Sequence, residues 1–316
     1  MTNPSLLSRI EAIRLEAGRI SLYLHLHAPW LRSKNLADFF SWNHLDLYNL
    51  ISRIELDPLG EIVEGMSTLE DHWDISTELG SGPYPETSVC PLDGAEMVLV
   101  PKGPFTMGIT KEELRQIFML DQRQTPVFAT EIPGRTVSLE AYYIDRYPVT
   151  NYQYRRFAEE TGHREPLLWN QPSWSQPMQP VVFVGWNDAR AYARWAGKSL
   201  PSEAQWEKAG RGTDRRLWAW GHEFLPGRCN SREYGLGRTS EISLFDQGMS
   251  PYGCYDMSGN VWEMCEGRWQ GELLPMRGGC FLGSATFVRV TCRWTPEDPI
   301  NGAHWLGFRC VKETAS

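Results

Sequence analysis

The chain reads as an α+β protein, loop-rich, with short strands and a few helices. Two observations within residues 93–313 predict this class. Three helical stretches each begin at a capping residue and are followed closely by a glycine. Short alternating segments precede them, and beyond Gly210 the chain runs mostly through turn-forming residues. A third feature lies N-terminal to this domain: residues 1–75 carry helical periodicity and form a separate extension.

Within the extension, Pro4 and Ser5 suit a helix start, and Leu6, Leu7, Ile10, Ile13 and Ala17 recur at helical spacing. A second apolar stretch, from Ile20 to Leu31, is broken at Pro29. A third, from Leu36 to Ile54, carries Phe39, Phe40, Trp42, Leu47 and Ile51 and ends at Pro58 and Gly60. So much apolar surface is expected to dock on the main domain or on a partner chain. Residues 76–92, punctuated by Gly80, Gly82, Pro83, Pro85 and Pro91, read as a linker. In the main domain, 93–313, Ala95–Val100 and Arg135–Tyr143 alternate as strands. Thr150 caps a helix over Asn151–Thr161. Asn187 is expected to cap Asp188–Ala196, closed by Gly197, and Ser202 to cap Glu203–Ala209, closed by Gly210.

Composition narrows the function classes. The 316 residues hold 41% hydrophobic and 22% charged residues, as ordinary soluble globular proteins do. The formal net charge of −8 argues against a nucleic-acid partner bound by phosphate neutralisation. No run of eighteen apolar residues would span a membrane, and the N-terminus shows no targeting segment. The expectation is therefore a cytoplasmic protein whose seven scattered cysteines, none in a CxxC pair, stay reduced.

The densest chemistry lies in Tyr252–Trp269. Gly253 and Gly259 permit a sharp bend, and Asp256, Asn260 and Glu263 place oxygens around it. Two readings stay open on these residues alone. One is a Ca²⁺ site built from carboxylates and bent-backbone carbonyls. The other is an Asx turn at Asp256, with Glu263 paired to an arginine.

The run from Tyr255 to Glu263 (YDMSGNVWE) resembles the signature of the formylglycine-generating enzyme, or sulfatase-modifying factor, family. Further segments resemble the family in the same order. They are Met97–Gly108, Tyr143–Tyr154, Val184–Tyr192, Leu200–Ala209, Arg277–Gly279 and Gly307–Cys310. The resemblance covers roughly residues 91–313. It implies a complex C-type-lectin-like (formylglycine-generating-enzyme-like) fold. It also implies a structural Ca²⁺ held by Asp256, the Gly259 and Val261 carbonyls, and Glu263. A second family site begins at Asn230 and the Ser231 carbonyl, but the acidic ligand that follows has no match in Gly235–Ser243.

The family's oxidase binds copper through two cysteines after its Arg-Gly-Gly segment. Here the first of those positions is Gly283, and the second falls in Ser284–Phe287, which holds no thiol. Copper and formylglycine-generating activity are therefore not expected. Cys280 and Cys292 lie outside both positions and leave a relocated metal site as an alternative, an oxidoreductase of the same superfamily. Relatives without the copper pair include binding modules, some diversified by retroelements. That resemblance implies a protein- or peptide-binding surface in loops 282–305. Its candidate residues are Leu282, Ser284, Phe287, Trp294, Glu297, Asn301, His304 and Trp305.

Overall fold

The computed structural model describes residues 86–120, 126–167, 169–267, 275–295 and 302–314. The expected helices and docking face of residues 1–75 lie outside these residues, as do Trp269, Glu297 and Asn301. In chain order the first elements are β1 (Thr87–Val89), β2 (Glu96–Val100), β3 (Gly103–Met107), α1 (Lys111–Leu120), β4 (Arg135–Leu139) and β5 (Tyr142–Asp145). Then come α2 (Asn151–Thr161), α3 (Trp186–Trp195), α4 (Glu203–Arg211), β6 (Trp262–Met264), β7 (Met276–Arg277), β8 (Arg293–Trp294), β9 (Leu306–Gly307) and β10 (Val311–Glu313). Few helices, short strands and long loops make the α+β class that the sequence predicts.

Helix α2 has the expected bounds because its start is fixed locally. The Gln153 backbone N–H donates to Thr150 Oγ1 (3.3 Å), while the Thr150 N–H donates to Gln153 Oε1 (2.9 Å). Gly162 closes it at φ +67°. Helix α3 starts earlier than expected. Its cap is Gly185, whose N–H donates to the Asp188 carboxylate at 2.8 Å, so Asp188 and not Asn187 sets the start. Helix α4 keeps its Ser202 cap but runs through Gly210 to Arg211. A Cβ at Gly210 would stand 3.1 Å from both Met257 and Val290, so this glycine serves close packing and not termination.

Three elements, β1, β3 and α1, are absent from the sequence reading. Helix α1 follows a reciprocal pair in which the Thr110 N–H donates to Glu113 Oε2 (2.7 Å) and the Glu113 N–H to Thr110 Oγ1 (3.2 Å). That Thr-x-x-Glu spacing was the available signal. Strand β3 pairs with β4. The single strand expected over Arg135–Tyr143 is two, because β4 joins β3 while β5 enters a different sheet of order β1-β2-β5-β10. Pairing of Thr87–Val89 with β2 also moves those three residues from the expected linker into the domain.

The third sheet has order β8-β7-β6-β9 and is antiparallel except for β6 with β9. Strand alternation sorts its residues onto two faces. Trp262, Met264, Met276 and Leu306 join the main apolar core with Tyr154, Phe157, Tyr192 and Phe308. Glu263, Arg277 and Arg293 face α4, where Trp206 Nε1 donates to Glu263 and Glu203 and Glu207 take the arginines. Among the described residues no helix is long and apolar enough to cross a membrane.

A buried cation joins the first sheet to the loop after α3. Lys198 Nζ lies 2.8 Å from Asp93 and 2.7 Å from Asp145, with all three side chains at most 2% exposed. Tyr192 donates to Asp93 (2.7 Å), and the Cys310 N–H donates to Asp145 (2.8 Å). Burial pushes the Asp145 carboxyl up to about 6, against the pull of Lys198. Removing one partner of such a set leaves uncompensated buried charge. Lys198→Met is therefore expected to lower unfolding stability by about 3–5 kcal/mol, as read by urea denaturation.

Candidate functional site

The bend that the sequence singled out is built from residues in left-handed conformation. Asp256 has φ +56°, Asn260 +63° and Gly259 +90°. Asp and Asn tolerate that region because their short side chains bond locally. Gly259 is required there for a second reason: a Cβ would collide with the Asn230 carbonyl. The bend is stitched to two neighbours. The Asn260 N–H donates to the Asn230 carbonyl (2.9 Å), and the Gly259 N–H donates to the Gly278 carbonyl (2.7 Å).

Asn260 is the hub of this region. Its Oδ1 accepts from the Ser240 N–H (2.9 Å) and from Asn230 Nδ2 (3.2 Å). Its side chain also bonds to the Asp256 carboxylate. The sequence reading named Asn260 only as one oxygen near the bend. Its partners come from segments 20 and 30 residues away, which spacing does not reveal.

Glu263 is fully buried and committed to protein donors. Arg309 donates through Nε to Oε2 (2.6 Å) and through Nη2 to Oε1 (2.8 Å), and Trp206 Nε1 donates to Oε2 (2.7 Å). The arginine pairing left open for Glu263 is therefore the arrangement found. Arg309 also donates to the carbonyls of Asp145, Arg146 and Tyr255.

Asp256 is placed differently. Its Oδ2 is buried without a hydrogen-bond partner, and so is Asn230 Oδ1. Burial pushes the Asp256 carboxyl up to about 7, with Arg309 pulling the other way. Ser231 is buried too, and its carbonyl accepts from the Gly235 N–H (3.1 Å). Of the oxygens expected to hold Ca²⁺, Glu263 is committed to Arg309 and Trp206, while Asp256 Oδ2 at the first site and Asn230 Oδ1 at the second are open acceptors of the type a hard cation takes.

The second region is the face formed by residues 281–295 and 302–305. Trp294 is 44% exposed and stacks on Trp305, with centroids 5.9 Å apart and planes at 11°. The Trp262 ring meets Trp294 edge-on at 5.8 Å. His304, next in chain to Trp305, packs among Trp174 (5.5 Å), Phe281 (6.0 Å) and Phe183 (6.1 Å). Leu282 is 51% exposed. Of the residues expected to face outward, Leu282 and Trp294 do so, while Ser284, Phe287, His304 and Trp305 are half-buried. Phe287 turns inward against Phe128 (5.0 Å), and Ser284 Oγ bonds Thr286 Oγ1 (3.0 Å).

Trp174 and Phe183 were missed by the sequence reading. Phe183 holds φ +60°, a conformation that costs a bulky residue on the order of 1–3 kcal/mol. Its N–H donates to the Ala303 carbonyl at 3.0 Å, which ties the 183 loop to the 303–305 turn.

All seven cysteines are buried. Burial pushes the Cys280 thiol up to about 11 and the Cys292 thiol up to about 12. Gly283 closes a turn by donating its N–H to the Cys280 carbonyl at 2.7 Å.

Residues 85–314 match the sulfatase-modifying factor enzyme 1-like domain. The chain belongs to that family. Its relatives include the inactive C-alpha-formylglycine-generating enzyme 2 of Bos taurus, 30% identical over 320 residues, covering 82% of this chain and 96% of that one. The formylglycine-generating enzyme of Thermomonospora curvata is 31% identical over 296 residues, covering 69% and 93%. Among solved structures, PvdO from Pseudomonas aeruginosa superposes with a TM-score of 0.60 at 25% identity, covering 74% of this chain and all of that one. Treponema denticola variable protein 1 shares the fold, at TM-score 0.55 and 18% identity, with 74% and 100% covered. Active and inactive members of the sulfatase-modifying factor family thus resemble this chain to the same degree, and membership alone does not set its chemistry.

At the positions where the family's oxidase places copper thiolates, this sulfatase-modifying-factor-like domain offers Gly283 and the thiol-free Ser284–Phe287. That donor set does not fit Cu(I). The oxygen set around Asp256 gives a separate test. If it holds Ca²⁺ in the folded state only, excess EGTA lowers the melting temperature and millimolar calcium restores it. Asp256→Ala is expected to abolish that response, whereas Val261→Ile, which keeps the carbonyl, retains it. Differential scanning calorimetry with and without chelator reads both.

Proposed function

We propose that this protein is a recognition domain that binds a protein or peptide ligand through its C-terminal loops 282–305, with the aromatic face around Trp294 and Trp305, and does not convert cysteine to formylglycine. One observation carries the reading: Trp294, stacked on Trp305, stays 44% exposed. Large aromatics left at a surface supply rigid contact area at low entropic cost, and Trp is enriched at binding hot spots. The strained Phe183 and its neighbours Trp174 and His304 extend the same face through the turn that carries Trp305.

The thiol-free copper positions support the second half of the reading. A relocated metal site at Cys280 and Cys292 gains no support, since no cluster of three His, Cys, Asp or Glu side chains that could hold a metal ion stands together among the described residues. A structural Ca²⁺ at Asp256 belongs to the same proposal: it would fix the bend that precedes β6, the strand carrying Trp262.

Selection of a displayed random peptide library on the immobilised domain tests the recognition reading. Enriched peptides are expected to lose at least tenfold in affinity for Trp294→Ala, with the melting temperature unchanged. Absence of enrichment, or peptides that bind this variant equally well, would overturn it. In a second assay, a Cys-x-Pro-x-Arg peptide incubated with the protein, Cu(I) and O₂ is expected to keep its mass. Aldehyde formation faster than with free copper would refute the inactive assignment.

A further inference from the structure

A cavity of about 150 Å³ is walled by β3, β4, β7, β8, α4 and the Thr130–Pro133 turn. It is smaller than the roughly 300–1,000 Å³ of pockets that hold drug-sized ligands. Its lining is charged. Arg135, Arg277 and Arg293 contribute guanidiniums, and Glu131 and Glu207 contribute carboxylates.

The two carboxylates are already neutralised. Both oxygens of Glu131 accept from Arg289, at 2.7 and 2.8 Å. Glu207 Oε1 accepts from the Gly108 N–H (2.7 Å) and from Arg211 (3.2 Å); its Oε2 pairs with Arg277 Nη2 at 2.9 Å by charge but accepts no hydrogen bond. The donors are not used up in the same way. Arg277 is 1% exposed, yet its Nε–H is buried without an acceptor. Leaving a buried donor of a charged group unsatisfied is costly, so the position favours an acceptor. Arg135 is exposed and pairs with no carboxylate among the described residues; its Nη2 donates to the Met107 thioether at 3.6 Å. The Thr291 hydroxyl accepts from Arg289 Nη1 (2.9 Å), so its own proton remains to be donated.

We infer that this cavity is a binding site for one small oxyanion, a tetrahedral phosphate-like group or a short carboxylate. The Arg277 Nε–H forms a buried floor and Arg135 a charged mouth, the donor type that suits planar and tetrahedral oxyanions best. The inference rests on Arg277 and Arg135 and not on the exposed Trp294, so the two proposals are tested by different variants.

Isothermal titration of the full chain with sodium phosphate, and separately with sodium acetate, tests it at fixed ionic strength set by sodium chloride. Saturable binding of either anion is expected. Phosphate alone marks a tetrahedral ligand, and acetate alone marks a carboxylate. Arg135→Gln should weaken that binding at least tenfold while its melting temperature in chloride stays at the wild-type value. Arg135→Lys should recover part of the affinity, and the exposed control Lys102→Gln should change nothing. No saturable heat with either anion, which would mean a cavity filled by water alone, overturns the inference. Equal affinity in wild type and Arg135→Gln overturns it as well.

Discussion

The buried pair of Glu263 with Arg309 is the interaction on which the rest of the domain depends. Arg309 brings five N–H donors to a place where the chain has no regular hydrogen-bond ladder to offer. Two of them hold the Glu263 carboxylate, and the others reach the carbonyls of Asp145, Arg146 and Tyr255. One side chain thus ties the end of β5, the start of the glycine bend and strand β6 together. Trp206 completes the arrangement by donating to the same carboxylate from α4. A loop-rich fold must satisfy its buried backbone carbonyls with side chains, and arginine does so with a fixed geometry.

That commitment has a consequence on the opposite side of the sheet. Because strand residues alternate, fixing Glu263 toward α4 fixes Trp262 toward the main core. Trp262 in turn supports the Trp294 ring, and Trp294 rests on Trp305. The exposed aromatic face is therefore held by a rigid charged layer one residue away. A surface preorganised in this way loses little conformational entropy on binding, which is where aromatic recognition sites gain affinity.

The charged layer also explains why so many arginines are buried. Arg211, Arg277, Arg289 and Arg309 are all at most 1% exposed, and each has a carboxylate partner. Isolated buried guanidiniums would be prohibitively costly, so the carboxylates Glu131, Glu203, Glu207 and Glu263 are required by the same fold. Around the small cavity this matching is incomplete, at the donor Arg277 Nε and at the acceptor Glu207 Oε2.

The sequence by itself determined what depends on near neighbours. The start of α2 was legible because Thr150 and Gln153 satisfy each other three residues apart. The bend at 253–263 was legible because glycine, asparagine and aspartate announce positive φ locally, and the order of family motifs fixed the fold class. Tertiary structure alone decided the rest. Gly210 reads as a helix end, yet Met257 and Val290 press on it inside α4. Arg135–Tyr143 alternates as one strand, yet two sheets claim its halves. Glu263 has ligand chemistry in its own segment, but its partner stands 46 residues later in sequence, at Arg309. Whether a buried carboxylate meets a cation or an arginine is set by which group occupies the adjacent volume after folding, and no local pattern carries that distance.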